Sequence, residues 1–201
     1  PVWSAGHDIG ELPQGQEPLG YSDALERLIR GVRRFPAPVV AKVHGSVWGG
    51  ATDLVLNCDL VVGDETCSFA VTPANLGLPY NTLGLLHFLR RLPLNLVKEL
   101  FFTAAPLKAP EALRWGLLNR LVPAEDLDRE VEELLRTMAS KAPLVLSSVK
   151  EQLRILGEAD PVTPEVFERM QDLRRRVFES EDYREGIRAF REKRPPRFRG
   201  R

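Results

Sequence analysis

Two glycine-bearing turns, "SAGHD" (residues 4–8) and "WGGATD" (48–53), each follow an apolar stretch with strand character. Glycine lets the main chain turn tightly and lets another group approach it closely. The first residues of a helix also carry N–H groups without intrahelical partners. Donors from two such loops can converge on one oxygen, which is the design of an oxyanion hole. Turns that merely end strands fit the same spacing, because short glycine motifs recur widely.

Other chemistries lack their residues. There is no Gly-x-Ser-x-Gly elbow, no Walker lysine loop, no paired-histidine metal spacing and no dinucleotide glycine fingerprint. His7, His44 and His87 are far apart in sequence. His87 falls in the apolar helical run "LGLLHFLRRL", where a structural role is expected, whereas His7 sits in one of the two turns. Cys58 and Cys67 form neither a disulfide framework nor a metal spacing, and read as small buried residues of a reducing compartment.

The elements that must position the turns alternate between strand and helix. Leu25, Leu28, Ile29 and Val32 predict a helix capped by Ser22 and stopped by "FPAP". "VVAKV" predicts a buried strand, followed by the glycine turn and a helix over 51–57. Two short β runs are expected in "DLVVGDETCSFAVTPANLGLP", then helices over 81–91 and 94–103. "APEALRWGLLNRLV" reads as helix, turn and strand. From residue 124 the pattern changes to four amphipathic helical stretches punctuated by Gly and Pro. An α/β core over residues 1–124 with a helical region over 125–201 is the expected organisation.

Balanced charge, with 28 basic and 28 acidic residues, gives no bulk attraction to nucleic acid or anionic membrane. No apolar run is long enough to span a bilayer. The expected location is cytoplasmic. "PVWSAG" reads as the end of a strand already under way, so an N-terminal piece is expected to precede Pro1.

Taken together, "SAGHDI", "KVHGSVWGGATDL", "FAVTPANLGLPY", "ALRWGLLNRLV" and "EDYREGIRAFREKRPPRF" resemble the crotonase (enoyl-CoA hydratase/isomerase) superfamily, in order along the whole chain. The resemblance implies a spiral of ββα units, the first of them missing here, and C-terminal helices that mediate trimers or dimers of trimers. It implies an acyl-CoA substrate and no cofactor, the CoA being part of the substrate. By motif position, the backbone N–H groups of His7 and Gly50 form the hole for the thioester oxygen, aided by the positive end of the helix that follows. Ala5, Gly6, His7, Asp8 and Ile9 line the CoA path, Lys193 meets the CoA phosphates, and Thr72 and Tyr80 face the acyl end.

The family's hydratases use two glutamates; Asp53 stands at the first position and Ala74 at the second. Half a dyad cannot both activate and deliver water. Decarboxylation asks for less, because a malonyl-type thioester generates its own enolate on losing CO2. Neutral hydrogen bonders avoid over-stabilising the ground-state carboxylate. The expected reaction is therefore decarboxylation of a short branched malonyl-type CoA thioester in a pocket short of acid–base partners. Tyr80 orients the carboxylate or relays a proton, and the His7 side chain helps steer it. Asp53 is either a positioning carboxylate or an acid tied into local hydrogen bonds. The alternatives are an enoyl-CoA hydratase or isomerase using Asp53 alone, and a non-catalytic module that binds CoA or RNA.

Overall fold

The computed structural model of the chain describes residues 1–11, 23–158 and 164–199. Its elements are β1 (Val2–Ser4), α1 (Ala24–Arg34), β2 (Val40–Val43), β3 (Ser46–Trp48), α2 (Gly50–Leu56), β4 (Leu60–Asp64), β5 (Ser68–Ala70), α3 (Thr82–Arg91), α4 (Leu94–Thr103), β6 (Leu107–Lys108), α5 (Ala109–Arg114) and β7 (Arg120–Val122). Helices α6 (Leu127–Ala139), α7 (Pro143–Gly157), α8 (Pro164–Glu179) and α9 (Glu181–Arg191) follow.

Apart from β5 and β6, which pair antiparallel, consecutive strands do not pair with each other. β2 and β4 join β7 in a parallel sheet ordered β2-β4-β7, while β3 and β5 lie in a second sheet ordered β1-β3-β5-β6. Each strand pair thus contributes once to each sheet before a helix returns the chain, which is the crotonase-type spiral of ββα units. The segment read from sequence as a single strand before the glycine turn holds two, β2 and β3. Gly45 makes the corner between them at φ +87°, where a Cβ would lie 2.5 Å from the Pro1 carbonyl oxygen. That steric demand forbids a side chain there.

Alternation along the strands divides the apolar residues between two clusters. Val43, Val47, Val55, Val61, Phe69 and Phe88 are fully buried in the main core. Val62, on the opposite face of β4, packs instead with Leu127 and Val131 of α6. Cys58 and Cys67 are free and buried, and burial pushes the Cys67 thiol up to about 12. Neither departs from the structural role expected of it.

Helix α1 differs from its expected orientation. Asp23 caps it by accepting from the Leu25 N–H at 2.8 Å, while Ser22 lies outside the described residues. Its buried positions are Glu26 and Ile29, and Leu28 is exposed. The inner face therefore runs through 26, 29 and 33 and includes charged residues. Further along, α6 still contributes to a core, but no described side chain of α7 is buried. α9 returns to the α/β part: a Cβ on Gly186 would fall 1.8 Å from the Leu76 carbonyl oxygen, so the helix backbone rests directly on the 73–76 turn.

Candidate active site

Parallel pairing of β1 with β3 brings the two glycine turns together, because both follow the same ends of neighbouring strands. Gly6, at φ +90°, lies so near Trp48 that a Cβ would be 2.5 Å from its carbonyl oxygen and 3.6 Å from the Gly50 nitrogen. Only glycine allows that approach. The Gly49 N–H is already used, donating to Ala70 O at 2.8 Å. The next amide, Gly50, opens α2 and has no acceptor among the described residues, and neither has that of His7. Thr52 locks the turn in place, its hydroxyl donating to Val47 O at 3.1 Å and to Ala70 O at 2.9 Å. Since α2 spans only Gly50–Leu56, the donors themselves rather than its dipole are what the site offers an anion.

Beside these turns lies a partly open pocket. Ala5, His7, Ile9, Gly50, Thr72 and Tyr80 all line it. Gly6 and Asp8 do not; Gly6 sets the close approach, and Asp8 accepts from the Gly10 N–H at 2.8 Å, fixing the turn beyond His7. Lys193 is not part of the lining either. It is exposed just beyond α9 with φ +51°. Ala74 is exposed on the 73–76 turn and also stays out of the pocket.

Tyr80 is both a core aromatic and a pocket residue. Its ring meets Phe101 edge-on at 4.8 Å and Phe88 at 6.2 Å, and its hydroxyl donates to Asp53 Oδ2 at 3.4 Å. Burial pushes the phenol well above its usual range, with the Asp53 and Glu26 charges adding to the effect. Asp53, buried at the pocket floor, also accepts at Oδ1 from Asn57 Nδ2 at 2.8 Å and from His87 Nδ1 at 2.9 Å. His87 Nε2 faces Arg33 Nη1 at 3.1 Å, and a guanidinium only donates. This assigns the imidazole proton to Nδ1. Arg33 continues the chain of polar contacts to Glu158. Asp53 is thus tied into local hydrogen bonds, and His87 is a satisfied buried histidine.

The expectation of a pocket short of acid–base partners is overturned by Glu26. This α1 residue is 3% exposed and lines the pocket together with Asp53. Asn81, the cap of α3, donates to Oε1. Oε2 has Arg30 Nη1 3.9 Å away, beyond hydrogen-bond range. Burial raises the carboxyl; His87 opposes it, Asp53 adds to it, and Arg30 and Asp23 act in opposite senses with less effect, so burial decides the direction. Sequence reasoning misses Glu26 because it reads as one charge among many on an amphipathic helix. The signal available is its place one helical turn from Ile29 on the buried stripe.

Two strand-end turns with unused amides thus stand side by side on a two-sheet ββα spiral, at the edge of one pocket. A family profile described as enoyl-CoA hydratase/isomerase matches residues 1–201, and the chain belongs to that family. It is 46% identical over 200 residues to the methylmalonyl-CoA decarboxylase of Escherichia coli (strain K12), covering 99% of this chain and 77% of that protein. The carnitinyl-CoA dehydratase of Proteus mirabilis is 37% identical over 204 residues, with 98% and 77% covered. A solved methylmalonyl-CoA decarboxylase complexed with 2S-carboxypropyl CoA matches with a TM-score of 0.97 at 46% identity, over 100% of this chain and 77% of that one.

Proposed function

We propose that the chain decarboxylates methylmalonyl-CoA to propionyl-CoA through a thioester enolate. The observation that carries this reading is the 46% identity with the Escherichia coli decarboxylase over nearly the whole chain, joined to the two unused amides beside the pocket. The thioester oxygen sits between the N–H groups of His7 and Gly50, which strengthen their hold as negative charge develops on it. Thr72 and Tyr80 keep the carboxylate out of the thioester plane, so that the breaking C–C bond feeds its electrons into the carbonyl. The His7 side chain shares in that steering. Residues 5–9 border the CoA path, and Lys193, exposed beyond α9, meets the phosphates at its outer end. No step needs a metal or prosthetic group.

The assembly is a homotrimer or a dimer of trimers. Its support is the outward apolar surface of α7, where Leu144 is 85% and Leu156 72% exposed. No helix among the described residues is long and apolar enough to cross a membrane.

A second reading is favoured by one observation, the presence of Asp53 and Glu26 in the same pocket. Hydration of an enoyl-CoA uses two acids, and this pair is of that kind. Both Asp53 oxygens are already engaged, which leaves it poorly placed as a base. Supplying methylmalonyl-CoA and collecting CO2, with crotonyl-CoA absorbance followed in parallel, separates the two. CO2 release with a steady enoyl signal is expected; the reverse pattern would establish hydration instead.

A further inference from the structure

Decarboxylation leaves an enolate that must take up a proton, and we propose that Glu26 supplies it, the carboxyl of α1 acting as the acid of the reaction. The inference rests on the decarboxylase reading for its substrate and on the pocket for its geometry.

Among the other polar groups lining the pocket, the His7 side chain is assigned to steering the carboxylate, and the rest are committed or too weakly acidic. Asp53 accepts from Asn57, His87 and Tyr80, so both of its oxygens are occupied as a carboxylate. Tyr80 directs its hydroxyl at Asp53, and His87 lies behind Asp53 with both nitrogens engaged. Thr72 is an alcohol, too weak an acid for the task. Glu26 has a different environment. It is buried, lines the same pocket and accepts from Asn81 at Oε1. Oε2 receives no hydrogen bond among the described residues, Arg30 Nη1 standing at ion-pair distance of 3.9 Å, and is the oxygen assigned to carry the proton. Of the two carboxyls in the pocket, Asp53 has both oxygens hydrogen-bonded and Glu26 one, and burial raises the Glu26 carboxyl.

The step balances. The Cα–CO2 bond breaks, its electron pair enters the thioester to give the enolate, and CO2 leaves. The enolate Cα then takes the Oε2 proton, the carbonyl reforms, and Glu26 regains a proton from water. One proton is consumed for each CO2 released.

The titratable and charged groups facing Glu26 are Asp23, which caps its helix, Arg30 on that helix, Asp53 on α2 and His87 on α3, with His7 across the pocket. Burial raises its carboxyl above the ordinary value, outweighing the opposing effect of His87. The donor form therefore prevails at low pH, and its contribution is lost as pH rises through the raised value.

The test uses Glu26→Gln, which preserves shape and an acceptor for Asn81. Two readouts are followed: the pH profile of CO2 release, and exchange of the propionyl-CoA α-hydrogens with deuterium from solvent. Exchange is expected to slow by about 100-fold or more, with the alkaline fall in the pH profile abolished. Glu26→Asp is expected to recover part of the exchange, which a purely structural loss would not show. Exchange within about threefold of the parent with an unchanged pH profile would overturn the proposal, as would loss of exchange in His7→Gln but not in Glu26→Gln. If the parent protein releases no CO2 yet exchanges α-hydrogens in a Glu26-dependent way, the decarboxylase reading fails and the acid assignment stands.

Discussion

The strand-end region around the pocket and the helix α7 are built on opposite terms. Around the pocket nearly every polar atom has a partner: Thr52 on two carbonyls, Asn57 and His87 on Asp53, Asn81 on Glu26. Phe88 and Phe69 are wholly buried beneath it. On α7, Leu144, Leu153 and Leu156 face outward and no described side chain is buried. Lys150 is its anchor, donating to Val32 O and Ala37 O at 3.0 Å and to Asp59 at 2.7 Å. The contrast teaches that geometry for chemistry is fixed within one chain, whereas the α7 face fits the proposed contact between copies.

Deleting core volume should expose this difference most strongly. Phe88→Ala, which removes a ring packed against Tyr80 and Phe101, is expected to cost about 3–5 kcal/mol in urea unfolding. A loss under 1 kcal/mol would mean that the pocket floor is not the rigid region.

Removing one amide should leave the fold and abolish most of the rate. Gly50 is the first residue of α2, where a missing N–H breaks no helical bond; a Cβ there would lie 2.5 Å from Leu25 Cδ2, the end of a flexible side chain that must turn aside. Gly50→Pro is expected to lower kcat by about 100- to 1,000-fold with a parent-like circular dichroism spectrum. Retained turnover in a folded variant would place the oxyanion elsewhere.

Tyr80→Phe keeps the ring packing and deletes the hydroxyl. A drop in kcat of about tenfold with little change in KM is expected, worth about 1.4 kcal/mol. Because burial holds the phenol well above its usual range, the parent rate should show no loss attributable to Tyr80 ionisation up to about pH 10.

On α7 the smallest effect on the single chain is expected. Leu144→Lys with Leu156→Lys should change unfolding free energy within about 0.5 kcal/mol, while sedimentation shows a smaller assembly. An unchanged sedimentation coefficient would remove α7 from the interface.

What is legible in the sequence follows from local physics. Helix α4 falls over its expected residues, α3 starts one residue inside its expected range, and α5 opens the segment read as helix, turn and strand. Their limits are written in Pro, Gly and capping side chains, which act over a few residues. The two turns are legible too, since a positive φ or a close backbone approach demands glycine on the spot. β3 escapes because it follows β2 across the Gly45 corner within one apolar run, and β6 because two residues establish no period. Ser22 and Asp23 cap equally well by type, so the expected cap falls one residue before the observed one.

Sequence by itself therefore determined the glycine turns, the order of the elements and the family. Tertiary structure alone decided that β1 pairs with β3, that α1 turns Glu26 rather than Leu28 inward, and that Asn81 meets that carboxyl across 55 residues of chain. The reason is range. Backbone conformation answers to neighbours along the chain, whereas the acidity and orientation of a pocket residue answer to groups that only strand pairing and helix rotation bring near.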